Sequence, residues 1–134
     1  MEDNKQPTMM IAEDENIIRM LLKAVAKETG FEVVAEAENG REAVDIFRVV
    51  KPDITLMDIN MPKLTGLEAL EKIHETNPGA CVIMLTSVAD MDSVRKAIDL
   101  GAANYILKDT PVEEIEEMIR DTWTLHCGTL EENP

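Results

Sequence analysis

Five polar side chains close short apolar runs: Glu13 and Asp14 follow TMMIA, Asp58 follows DITLM, Thr86 ends ACVIMLT, and Lys108 follows ANYIL. If those runs lie side by side and point the same way, the five groups share one rim. Three carboxylates held together repel one another, so one must take up a proton or the group must bind a cation. Oxygen ligands select a hard ion, Mg²⁺, Mn²⁺ or Ca²⁺, over zinc, and Mg²⁺ bound by few protein groups keeps waters that a substrate oxygen can replace. Lys108 and the Thr86 hydroxyl would place a positive charge and a donor opposite the ion, a set suited to a phosphoryl group in transfer. A carboxylate can itself be the nucleophile in that chemistry, and Asp58, on the central run, is the natural candidate. The chain has no GxxxxGK[ST] loop, so nucleotide binding is not supported and phosphate must come from elsewhere.

Positioning these groups requires strands and helices in a particular order. Five runs rich in Val, Ile, Leu and Met, at 8–12, 31–37, 53–57, 80–86 and 103–107, are too short for helices and read as buried strands. Between them, residues 15–28 place Ile18, Leu21, Leu22 and Val25 at helical spacing before Gly30. Residues 41–50 carry Ala43, Val44 and Phe47 and stop at Lys51-Pro52, and 66–74 carry Leu67, Leu70 and Ile73 and stop at Asn77-Pro78-Gly79. A fourth helix over 91–100 ends at Gly101, and a fifth starts after Thr110-Pro111. Strict βα alternation, five times over, predicts an α/β fold: a doubly wound parallel sheet with helices on both faces. Ligands of such sheets sit beyond the carboxyl ends of the strands, where the five polar groups stand.

Composition narrows the function. The 134 residues fit one domain over 1–134, with a core at about 8–125 and short polar tails, and 45% hydrophobic content supports a packed interior. A net charge of −14 opposes direct binding to a nucleic-acid backbone. Cys81 and Cys127 form neither a disulfide framework nor a metal-site pattern, and the N-terminal MEDNKQPT lacks a basic region followed by an apolar stretch. These features predict a cytoplasmic protein with no membrane insertion.

The segments AEDE, NGREAV, KPDITLMDINMPKLTG, MLTS and GAANYILKD together resemble the CheY-like receiver domain of two-component response regulators, over about residues 8–125. The resemblance implies a flavodoxin-like (βα)5 sheet in the order 2-1-3-4-5. It implies that Asp58 accepts phosphate from a sensor histidine kinase or phosphotransfer protein. Asp14, Asp58 and the backbone carbonyl of Asn60 would hold Mg²⁺, for which Mn²⁺ can substitute, with Glu13 acting through water. Thr86 resembles the switch hydroxyl and Tyr105 the switch aromatic, and Lys108 resembles the cation that pairs with the phosphoryl oxygens. The face formed by the fourth helix, fifth strand and fifth helix would contact a downstream protein or a second copy of the chain. Such domains also hydrolyse their own phosphoaspartate, with Asn60 and Val88 at the positions that tune its lifetime. Two positions depart from the common pattern: Glu13 stands where aspartate is frequent, and Asp109 stands where many receivers have proline behind a cis bond. A cis bond before a non-proline residue costs about 2.5–4 kcal/mol, so none is expected here.

Other readings remain at this point. The chain is expected to stand alone and act by protein contact, while LKDTP and the glycine-bearing tail favour a piece of a longer DNA-binding regulator. A metal-dependent phosphatase with an Asp nucleophile would want a second aspartate two residues on, where Asn60 stands. A scaffold that is never phosphorylated would not need the acids or Lys108. Taken singly, Glu13 and Asp14 also suit a helix N-terminus. The methionines read as core filler, His74 and His126 as solvated helix-end residues, and the acids of 113–117 as a solvated face.

Overall fold

The structure is a computed structural model that describes residues 6–87 and 91–128. Apolar runs and amphipathic segments alternate as β1 (Thr8–Ala12), α1 (Asn16–Thr29), β2 (Glu32–Ala37), α2 (Gly40–Val50), β3 (Ile54–Asp58) and α3 (Gly66–Thr76). They continue as β4 (Cys81–Thr86), α4 (Met91–Asp99), β5 (Asn104–Leu107) and α5 (Val112–Trp123), and a π-helical turn over Thr124–Gly128, which the sequence did not foreshadow, follows. Every strand pair is parallel, and the sheet order is β2-β1-β3-β4-β5, the order implied by the resemblance.

Alternating side chains along the strands divide the core into two layers. Met10, Met57 and Met84 face Phe47 of α2, Leu70 and Ile73 of α3 and Ala97 of α4. Ile11, Leu56 and Ile83 face Leu22 and Val25 of α1 and Ile115 and Ile119 of α5. Strands β3 and β4 are buried along their whole length, whereas β2, at an edge of the sheet, alternates exposed and half-buried residues up to Ala37. The expectation of a fully buried run therefore fails for β2, because an edge strand has one open flank. On α1 the buried stripe is Leu22, Val25 and Ala26, with Leu21 40% exposed, so the inward face is turned from the predicted one. None of the described helices is long and apolar enough to cross a membrane.

His74 is a second correction. Its ring is part-buried at the end of α3, with Nδ1 2.6 Å from the Leu100 carbonyl oxygen and Nε2 3.0 Å from that of Ala80. Gly101 makes the space, since a Cβ there would lie 2.6 Å from the ring. The side chain thus fastens the chain leaving α4 to the turn before β4.

One buried group is left unsatisfied on the central strand. Thr55, fully buried on the same face of β3 as Met57, has no hydrogen-bond partner for its hydroxyl. A desolvated hydroxyl without a partner costs free energy that an isosteric methyl group does not. Thr55→Val is expected to raise unfolding stability by about 1 kcal/mol, read from the urea midpoint, and an unchanged or lower midpoint would contradict this.

Candidate functional site

Parallel pairing brings the carboxyl ends of β1, β3, β4 and β5 to one rim. Asp58 is the last residue of β3, opposite Leu85 of β4, and the pairing runs on through the Ile59 N–H to the Leu85 carbonyl at 2.9 Å. Its side chain is buried, with Oδ1 accepting the Asn60 N–H at 3.3 Å and Oδ2 3.2 Å from Lys108 Nζ. Glu13 leaves β1 still tied to the sheet, its N–H donating to the Ala37 carbonyl at 2.9 Å. Its fully buried carboxylate divides its work: Oε2 accepts the Glu15 N–H at 3.1 Å and Oε1 lies 2.9 Å from Lys108 Nζ. The residue thus ties the turn that leads into α1 to the polar cluster, without a side-chain cap on the helix itself. Asp14 is exposed beside them, and one carboxylate oxygen from each of Glu13, Asp14 and Asp58 lies within 4.8 Å of the others.

Lys108 is aimed by the sheet as well. Its N–H donates to the Thr86 carbonyl at 2.7 Å, one step beyond the Thr86–Leu107 pair that ends the β4–β5 register. Thr86 ends β4 and is buried. Burial pushes the Asp58 carboxyl above the usual range, and the Asp14 charge adds to this, while Lys108 and the Asn60 N–H oppose it. Glu13 is raised by burial too, eased by its contact with Lys108 and worsened by Asp58. Burial pulls Lys108 down, but its bond to Glu13 and the Asp58 charge outweigh that and hold it above its ordinary value.

The donor set fits a hard divalent cation. Three carboxylates offer three negative charges against one lysine, and the residual double charge, on oxygen ligands only, matches Mg²⁺ or Mn²⁺. Glu13 Oε1, though ion-paired, has no hydrogen-bond donor aligned on it, so it retains capacity for a further partner.

The loop after Asp58 is held by close backbone contacts. The Gly66 N–H donates to the Ile59 carbonyl at 2.7 Å, and a Cβ on Gly66 would lie 2.1 Å from the Asp58 carbonyl oxygen. A Cβ on Gly40, at the start of α2, would lie 2.0 Å from the Leu64 carbonyl oxygen of the same loop. Glu13, Asp14, Asp58 and Lys108 are therefore together, with Thr86 and Asn60 adjacent. Tyr105 is apart from the rim: it is half-buried on β5 opposite Met84 and packs on the core layer under α2, α3 and α4. Val88 lies outside the described residues. No cis peptide bond occurs among the described residues, Lys108-Asp109 included. Sequence reasoning missed three residues around the site: Gly40 and Gly66, whose only signal was a small residue opening a helix, and Arg19, one of three cations on α1 and the first along it.

The family model for the response regulator receiver domain matches residues 9–120. The chemotaxis protein CheY of Listeria monocytogenes is 41% identical over 111 residues, covering 83% of this chain and 93% of that one. A DNA-binding response regulator of the LuxR family from Staphylococcus aureus superposes with a TM-score of 0.81 at 32% identity, over 87% of this chain and 98% of that one. The CheX-CheY-BeF3-Mg+2 complex from Borrelia burgdorferi contains a chain that matches with a TM-score of 0.83 at 25% identity, over 87% of this chain and 88% of that one.

Proposed function

The chain belongs to the response regulator receiver domain family of two-component signalling, and from that premise we propose that it is a phosphorylation switch whose acceptor is Asp58. The observation that carries this reading is the placement of Lys108 Nζ, 2.9 Å from Glu13 and 3.2 Å from Asp58 within the carboxylate cluster. The donor is a phosphohistidine of a sensor kinase or phosphotransfer protein in the cytoplasm. An Asp58 carboxylate oxygen attacks phosphorus, the phosphorus–nitrogen bond breaks, and the histidine nitrogen leaves with the bonding pair and takes up a proton. Asp14, Asp58 and the Asn60 carbonyl would hold Mg²⁺, with Glu13 acting through water, and the bound ion supplies positive charge to the transferring oxygens. The Asn60 N–H on Oδ1 orients the nucleophile, and Lys108 exchanges its contact with Asp58 for one with the phosphoryl group.

Phosphorylation adds charge and acceptor oxygens beside Thr86. Its hydroxyl turns toward them, Tyr105 moves into the space released, and the α4–β5–α5 face takes the form that a downstream protein or a second copy binds. Asn60 and Val88 set how long the phosphoryl group survives hydrolysis. The likeness to the Staphylococcus aureus DNA-binding response regulator favours a second use of the same switch, in which it governs an attached DNA-binding segment.

Intact mass after incubation with acetyl phosphate tests the chemistry. One phosphoryl-sized gain with Mg²⁺ and none in EDTA is the expected result. No gain in folded protein that binds Mg²⁺ would contradict the reading.

A further inference from the structure

Arg19 stands on α1 one turn beyond the acids, and its side chain is only 11% exposed. Its guanidinium is fully engaged: Nη1 donates to the Glu13 carbonyl oxygen at 2.6 Å, Nε pairs with Glu36 at 3.0 Å, and Nη2 contacts the Asn16 side chain and lies 3.7 Å from Glu38. Lys23 holds the other oxygen of Glu36 at 2.9 Å. Lys23 first, and Arg19 with it, keep the Glu36 carboxyl below the usual range, so the group that anchors Arg19 remains an anion.

The Glu13 carbonyl belongs to the peptide unit whose N–H is that of Asp14. Planarity of that unit means that fixing the carbonyl direction fixes the Asp14 N–H and the position of its Cα. Glu13 is also fixed on its other side, through its N–H to Ala37. Asp14 is exposed, and no hydrogen bond of its carboxylate is among those described, which leaves the backbone that carries it as the means of placing it.

We propose that Arg19 is a positioning residue for the cation site: anchored by Glu36, its fork fixes the Glu13-Asp14 peptide and thereby aims the Asp14 carboxylate at the ion. This rests on the reading of the cluster as a Mg²⁺ site. Lysine at the same place keeps the charge and loses the planar fork that reaches Glu13 and Glu36 together. Residues that orient metal ligands from outside typically change affinity by about 10- to 100-fold when replaced.

The test is Mg²⁺ affinity by calorimetry for wild type, Arg19→Lys, Arg19→Gln, Glu36→Gln and Lys23→Gln, together with the Asp14 amide chemical shift of each metal-free protein. Arg19→Lys and Arg19→Gln are expected to weaken Mg²⁺ about tenfold and to move the Asp14 amide. Glu36→Gln should do both in the same direction to a smaller extent, while Lys23→Gln, which removes a charge without touching Glu13, leaves both near wild type. If Arg19→Lys binds like wild type, or Arg19→Gln binds Mg²⁺ no more weakly than Lys23→Gln does, the planar fork is not what matters and the proposal fails. Urea midpoints in EDTA establish that each variant is folded, and Glu36→Gln decides the question if both Arg19 variants are not. Absence of Mg²⁺ binding by wild type would overturn the metal site itself, a result distinct from wild-type binding with indifferent variants.

Discussion

Asp58→Asn is expected to abolish phosphoryl uptake and, in metal-free protein at neutral pH, to make the fold more stable. The carboxylate is buried beside Lys108, which it shares with Glu13, and burial raises its pKa above the ordinary range. A carboxyl raised in the folded state favours folding below its unfolded value, and that contribution is lost as pH climbs through the raised value. At neutral pH the ionised Asp58 is therefore a burden on the folded state. Asparagine removes the charge, keeps an oxygen for the Asn60 N–H, and leaves Lys108 its partner in Glu13. The stability difference between Asp58→Asn and wild type, from urea unfolding in EDTA, should shift in the variant's favour as pH rises from about 4 to about 7. Saturating Mg²⁺ should stabilise wild type and do little for the variant. A variant less stable than wild type throughout that range would show that Lys108 stabilises Asp58 by more than burial costs it.

Gly66→Ala is expected to cost about 3 kcal/mol of stability. A Cβ at this position would meet the Asp58 carbonyl oxygen at 2.1 Å and the Ile59 Cα at 2.8 Å. Both neighbours are backbone, so no side chain can swing aside and the loop carrying the acceptor must move. The Gly66 N–H to Ile59 bond is strained by the same displacement, and phosphoryl uptake should fall along with the urea midpoint. Gly79→Ala is the matched control, because nothing lies within 4 Å of its Cβ and it is not among the positive-φ glycines. It should stay within about 0.5 kcal/mol of wild type. A neutral Gly66→Ala would mean that the loop is far more accommodating than its packing indicates.

The strands and the acidic rim were legible because a parallel sheet ties sequence order to space. A polar residue that ends an apolar run must fall at the carboxyl edge, so Glu13, Asp58, Thr86 and Lys108 needed only the alternation of elements to be brought together. Sequence order also gave the helix stops at Gly30 and Lys51-Pro52, since these are local in backbone conformation. Contacts set by distant backbone were not legible. His74 looks like a helix-end residue until the carbonyls of Ala80 and Leu100 close around it, and those come from two other connections. Arg19 lies in an apolar pattern that gives no hint of the Glu13 carbonyl or of Glu36 across on β2. The inward stripe of α1 settled on Leu22, Val25 and Ala26 because packing against α5 and the sheet, rather than periodicity alone, selects the face. Tyr105 was singled out by resemblance, and it packs on the core layer under α2, α3 and α4.

The central claim is that Asp58, and no other acid of the cluster, receives the phosphoryl group. Reduction with borohydride after acetyl phosphate and Mg²⁺ treatment converts an acyl phosphate to a primary alcohol, and peptide mass mapping locates that alcohol. The alcohol is expected at Asp58 alone, with none in EDTA. An alcohol at Glu13 or Asp14, or none in protein whose mass shows a phosphoryl group, would contradict that claim.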